Sequence, residues 1–562
     1  MRWMTRWMMP AALAALAGSA AIAQDTAHDM APTMTEHGHP APPPSAPAAL
    51  PTPATPAAGH ADHMGHDDGI APKVPTLLPG YGGGGFAVTT AVPRAQAFFA
   101  NGLELHAAFA HTAAIEAMTE AVRLDPACAM CLWGEALTRG PTINFGKDAK
   151  ERKALRPLVR RAAALAARTG TPREKALIAA LDQRYRPGAV PGRDRAYADA
   201  MKRVGAHWPQ DDDVAVLADD AAMVALGSSV GDDPSPDAIA AAKAKAGLIA
   251  ADLERVLARS PRHTPAIHFY IHATEIAGEP ERAERYADTL GALAPSASHL
   301  VHMPSHTYYW VGRYEDAAQA NARAVELGKA NAARLGLPAP SGVWGLPYHS
   351  HNVIFGLGGA LMAGDPRIAL DLARPLVERV QAQDKVGPFS ALLSAHGYYA
   401  LARFDPAAVP ALPEPRAPYL KAVWHYARGE AAIWRGDVPA TRAEIAAIPA
   451  AIAAPGKQDF GTRSAEAMLT ILRGVLDGRI AMHEGRWADA AAAFRTAAVA
   501  EESTDFMQLT DPPAFWYPVR RDLAAALLAA GDKAGALKEI DASLALRKRD
   551  PEALALRAKI AA

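Results

Sequence analysis

From about residue 90 onward, apolar residues return every three or four positions in stretches of helical length, separated by short breaks marked by polar residues, glycine or proline. At 3.6 residues per turn this spacing gives each stretch one apolar face, and it predicts a succession of amphipathic helices. The stretches also repeat. In FFANGLELHAAFAHTAAIEAMTEAVRLDPA, Gly102, Ala114, Met118, Ala121 and Pro126 stand at offsets of 0, 12, 16, 19 and 24. Small residues thus fall where the two helices of a hairpin must approach, and a proline follows the second helix.

The order small, small, bulky, small, proline at these offsets resembles the 34-residue tetratricopeptide repeat (TPR). Further copies carry Ala283 and Pro295; Gly312, Tyr314, Ala317 and Ala324; Gly485, Trp487, Ala490, Phe494 and Ala497; and Gly531 and Ala536, with weaker units beginning near Cys128, His351 and Lys421. The resemblance covers most of the chain and implies an all-α, TPR-like solenoid over residues 86–562, in which each hairpin buries its apolar face against the next. The stretches DPACAMCLWGEAL, HLVHMPSHTYYWVGRYEDA and DPPAFWYPVRRDLAAALLAAG also resemble an exported bacterial branch of such proteins, a likeness that brings no catalytic assignment.

Two different zones precede the repeats. Residues 1–23 carry Arg2 and Arg6, then the apolar run MMPAALAALAGSAAIA ending in Ala21-Ile22-Ala23, the pattern of a cleavable signal peptide. The expected location is the periplasm or the outside of the cell. Residues 24–85 are rich in proline, alanine, histidine and methionine and poor in residues that seed a core, so they are expected to form a disordered linker, with GYGGGGFAV (80–88) as its terminal hinge. In this linker His28, His37, His39, His60, His63 and His66 alternate with Met30, Met34 and Met64, a mixture suited to copper, or to zinc through the imidazoles alone.

Charge excludes some partners. With 58 basic and 59 acidic side chains the chain offers no global attraction for nucleic acid or an anionic membrane. No stretch after the leader supplies the roughly 18 apolar residues of a spanning helix, so no integral membrane segment is expected. Two cysteines cannot staple 562 residues, and stability has to come from buried apolar surface.

Histidine changes the picture most. Five of the histidines fall within residues 268–306, in HFYIHATE and SHLVHMPSH. The register set by the alanines and prolines puts His268, His272 and Glu275 at positions 5, 9 and 12 of one repeat, His299, His302 and His306 at positions 2, 5 and 9 of the next, and His351 at position 2 of the one after. At about 100° per residue these positions share an arc of roughly 80°, the stripe that lines the concave groove of a TPR solenoid. Two i,i+4 histidine pairs on adjacent repeats can converge on a metal. Pro304 interrupts the second stripe and is expected to start the helix near Met303, leaving His299 and His302 in the preceding turn.

The same register points His106, Cys128, Cys131 and Glu135 at the groove, and the loop SGVWGLPYHSHN presents Trp344, Tyr348, His349 and His351. Cys128 and Cys131 fit a disulfide, a redox pair or a metal clip; no histidine follows Cys131, which excludes covalent haem. Three functions stand open. The first is an exported scaffold holding copper or zinc on His268, His272, His299, His302, His306 and His351, with His106, His349, Cys128, Cys131 and Glu135 as secondary candidates. The second is a metal-dependent oxidoreductase or hydrolase with Glu275 as general base beside Tyr270, Tyr308 and Tyr309. The third is a metal-free TPR protein that takes a peptide or small molecule in its groove.

Overall fold

The computed structural model describes residues 75–230, 235–452 and 460–562. The segment expected to be a signal peptide and the histidine- and methionine-rich stretch up to residue 74 lie outside the described residues. Among those described the chain is all-α, with short 3-10 turns and no strand. Successive helices pack as hairpins: Pro93–Ala107 on His111–Leu124, Pro304–Val311 on Tyr314–Arg334, His349–Ala363 on Pro366–Gln381, Phe460–His483 on Trp487–Glu501, and Arg520–Ala529 on Lys533–Leu546. The architecture is a TPR-like stack, as the repeat spacing implies.

The repeat residues act as their positions require. Ala114, Met118 and Ala121 are fully buried, and a Cβ at Gly102 would stand 2.8 Å from the Met118 methyl, so glycine leaves the Met118 side chain its room. Phe494 packs against Gly478 in the same way. Gly312 closes the helix Pro304–Val311 in the left-handed conformation, φ 84°, which a side chain rarely adopts.

Residues 75–85, expected to belong to the linker, are laid along the solenoid. Asn101 exchanges two hydrogen bonds with the Leu78 backbone, at 2.8 and 2.9 Å, and the Ser296 amide donates to the Gly80 carbonyl at 2.9 Å. Gly82 and Gly84, both at positive φ, lie so close to Thr264 and Pro265 that any side chain would collide. The glycine run therefore serves close packing onto the start of the helix Thr264–Ala277 and is not a hinge.

Pro304 starts a helix next to Met303, as expected, but the residues before it, His299 and His302 included, are themselves helical. The helix Ser298–His302 ends at Met303, which keeps right-handed helical angles, and Pro304 occupies the first position of Pro304–Val311, where its missing N–H costs no bond. The chain stays close to helical through the junction, and the histidine stripe survives it.

Candidate metal centre

Four short elements supply the histidines. Thr264–Ala277 carries His268, His272 and Glu275; Ser298–His302 carries His299 and His302; Pro304–Val311 carries His306 as its third residue; and His349–Ala363 holds His351 near its start. His268, His272, His299, His302 and His306 are buried and His351 is partly so. They form two groups, His268/His272/His299 and His302/His306/His351, and within each the potential ligand atoms lie within 4.8 Å of one another. A third group joins Glu275 and His306 to Asp511.

Hydrogen bonds fix which nitrogen faces inward. His268 donates from Nδ1 to the Ala107 carbonyl at 2.7 Å. His302 Nδ1 lies 2.6 Å from Asn321 Oδ1, and the Asn321 amide nitrogen donates to the Ala317 carbonyl at 2.7 Å, so that the oxygen is the atom left to face the imidazole. His306 Nδ1 lies 2.8 and 3.0 Å from the two Glu275 oxygens, and Trp310 Nε1 donates to the same carboxylate at 3.3 Å. In each case Nδ1–H is committed outward and the Nε2 lone pair points into the cluster. Outer partners of this kind, a carbonyl, an amide and a carboxylate, are those that orient metal-bound imidazoles.

The inward nitrogens are close. Nε2 of His302 and His306 stand 2.9 Å apart, Nε2 of His351 is 3.4 Å from that of His306, and Nε2 of His268 and His299 are 3.1 Å apart. His272 Nε2 and His299 Nδ1 are buried with no hydrogen-bond partner.

Electrostatics keep most of these rings neutral. Burial pushes His268 and His351 down to about 3, and burial with neighbouring imidazoles holds His272, His299 and His302 well below the usual histidine range. At His306 burial works the same way, but the carboxylates of Glu275 and Asp511 outweigh it and raise its pKa. Asp511 is pushed up to about 7 by burial and by Glu275, against the pull of His306.

Aromatic rings wall the cluster. Phe109, at φ 55° in the turn after Pro93–Ala107, stacks on His299 at 4.8 Å and meets His268 edge-on at 4.5 Å. Phe355 lies 4.6 Å from His306, and Tyr348 lies 4.3 Å from His299, its hydroxyl tied to His111 and Asn144.

The secondary candidates go elsewhere. Cys128 and Cys131 form a buried disulfide, which removes both thiolates as metal ligands and with them the metal-clip option for this pair. Glu135 pairs with Arg139 at 3.0 Å, and His106, pushed down to about 4 by burial and by Arg184, lines a small cavity with Asp220 and Phe269. His349 packs against Trp344 at 4.7 Å: it is two residues from His351, about 200° around the helix, so only one of the two can face the cluster. Tyr270 and Tyr308 bond Glu254 and Asp288, away from the imidazoles. Asn321, Asp511 and the Ala107 carbonyl were not among the sequence candidates.

No family model matches the sequence and no curated protein matches it. Among solved structures the chain is similar to the TPR domain of p58-IPK (11% identity over 83% of this chain and 97% of that one, TM-score 0.21). It is also similar to the human IFIT1 dimer with m7Gppp-AAAA (12%, 84% and 92%, TM-score 0.29) and to yeast Tom70 (10%, 84% and 89%, TM-score 0.26). At these scores they bear on no residue of the site. Among the described residues no helix is long and apolar enough to cross a membrane.

Proposed function

We propose that this is an exported TPR-like binding protein whose histidine cluster holds a late first-row transition metal, copper or zinc. One observation carries the reading: the convergence of His302, His306 and His351 through Nε2, with the Nδ1 atoms of His302 and His306 tied to Asn321 and Glu275. With both Nδ1–H groups directed outward, neutral imidazoles would face each other lone pair to lone pair at 2.9 Å. That arrangement favours a shared cation. A proton on His306 answers only one of the two contacts at a time, whereas a metal ion at about 2.0–2.1 Å from each nitrogen answers all three.

Export is read from the N-terminal leader, and the Cys128–Cys131 disulfide supports it, because such bonds persist in oxidising compartments. A peptide or small molecule in the solenoid groove is the expected partner, by the general habit of the fold. The test is metal analysis of protein purified without an affinity tag. Bound copper or zinc should fall in the His268→Ala/His306→Ala double variant, and an unchanged content overturns the proposal.

A second reading, a metal-dependent oxidoreductase or hydrolase, has one observation in its favour: a set of three imidazoles leaves an open coordination position. Glu275 is poorly placed as its general base, because its carboxylate is already engaged by His306 and Trp310. Metal-dependent turnover of candidate substrates under dioxygen would favour this reading.

A further inference from the structure

We infer that the cluster is a dinuclear centre: one ion on His268, His272 and His299, and a second, adjacent ion on His302, His306 and His351. The inference rests on the metal-binding reading above and specifies its stoichiometry.

The repeat itself duplicates the ligand set. His268 and His272 are separated from His302 and His306 by 34 residues each, one TPR period, so the two i,i+4 pairs are the same feature of successive hairpins. Each pair is completed by a histidine at the start of a later helix: His299 is the second residue of Ser298–His302, and His351 the third of His349–Ala363. A groove residue occurring in two successive repeats builds two equivalent half-sites.

Distances divide the six in the same way. The short nitrogen contacts, His268 to His299 at 3.1 Å and His302 to His306 at 2.9 Å, fall inside the triads. Ring centroids alone do not part the six, since His272 and His299 stand 6.2 Å apart within one triad and His299 and His302 5.7 Å apart across the two; it is the ligand atoms that group them, lying within 4.8 Å of one another in each triad. Donors to one ion must lie within about 4 Å of one another when the bonds are near 2 Å. Each triad can meet that limit by small side-chain rotations, while a single ion drawing on all six would have to pull together rings anchored on different elements by Ala107, Asn321 and Glu275.

The triads are nonetheless neighbours, because His299 and His302 are one helical turn apart. Two ions held there stand close enough to share a ligand, as in two-metal sites with separations of about 3.5–4 Å. Charge states what that ligand should be. Two dications bring four positive charges into a buried site, and Glu275 and Asp511 supply two negative ones beside His306. A small bridging anion such as hydroxide fits both the open positions and the remaining charge.

The test counts ions on the full mature chain by native mass spectrometry after loading with Cu(II) alone or Zn(II) alone and removal of loosely held metal. It compares wild type with His272→Ala, which opens the first triad, His351→Ala, which opens the second, and the double variant. The expected result is one ion fewer in each single variant and two fewer in the double, with any metal on the N-terminal histidines unchanged throughout. If the double variant loses only one ion, a mononuclear site stands and the dinuclear inference falls. If it loses none, metal binding itself falls. Paramagnetic resonance on the copper-loaded wild type gives an answer independent of variant folding: copper pairs should show a half-field transition or intensity below the copper counted, and isolated, fully intense signals overturn the inference.

Discussion

Replacing Glu275 by glutamine tests how the centre is held. Glu275 Oε1 and Oε2 lie 3.0 and 2.8 Å from His306 Nδ1, and Oε1 also accepts from Trp310 Nε1, all in a buried setting. Glutamine preserves shape and leaves one oxygen able to accept from Nδ1–H, so His306 keeps its tautomer. What it removes is the charge. A hydrogen bond to a charged acceptor is worth about 1.5–3 kcal/mol and a neutral one about 0.5–1.5, so the variant loses roughly 1–1.5 kcal/mol of support for metal-bound His306. That corresponds to a five- to tenfold weaker metal Kd. Glu275→Ala, which leaves His306 without an acceptor, should weaken binding by about 10- to 100-fold. Affinities are read by competition against a chromophoric chelator, with circular dichroism confirming the fold. If both variants bind metal like wild type, Glu275 does not position His306, and the assignment of Nε2 as the ligand atom loses its support.

Two further predictions concern stability. At Gly312, φ 84°, a Cβ would run into the Lys548 carbonyl, so Gly312→Ala should lower the urea midpoint with unchanged slope by an amount equivalent to at least about 1–2 kcal/mol; a midpoint equal to wild type contradicts this. Glu501 is pushed up to about 8 by burial, even though the Val519 amide donates to it at 2.8 Å. An acid whose folded pKa exceeds its unfolded value of about 4.3 takes up protons on folding between the two, so stability should fall by up to about 1.4 kcal/mol per pH unit from roughly pH 4.3 to 8 and level off above. Glu501→Gln should lack this contribution, and wild-type and variant stability curves that run parallel across the window refute it.

The repeat, the hairpins and the histidine stripe were legible because each depends on spacing along one helix or one period. Gly102, Ala114, Met118 and Ala121 announce a helix–helix contact within a single hairpin, and His302 and His306 stay on one stripe across Pro304 because Met303 stays helical. What the sequence hid was contact at long range. His268 is oriented by a carbonyl 161 residues away, and Asp511 reaches His306 from the distant stretch that begins DPPAFWY. Asn321 sits on the helix after His306, where an asparagine among alanines carries no spacing signal. The glycines at 80–85 looked like a hinge because glycine run and linker share a composition; only the approach to Thr264 and Pro265 shows that they serve close packing. Cys128, Cys131 and Glu135 had the right register for the groove, but the disulfide and the Arg139 ion pair engage them locally.

X-ray absorption at the metal edge, on protein loaded with one equivalent of copper or zinc and freed of N-terminally held metal by chelator challenge, addresses the centre most directly. The account predicts about three imidazole nitrogens near 2.0–2.1 Å with the outer-shell scattering of histidine rings, lost in His268→Ala/His306→Ala. A shell of oxygens without imidazole scattering, or a histidine spectrum untouched by that double substitution, would contradict it.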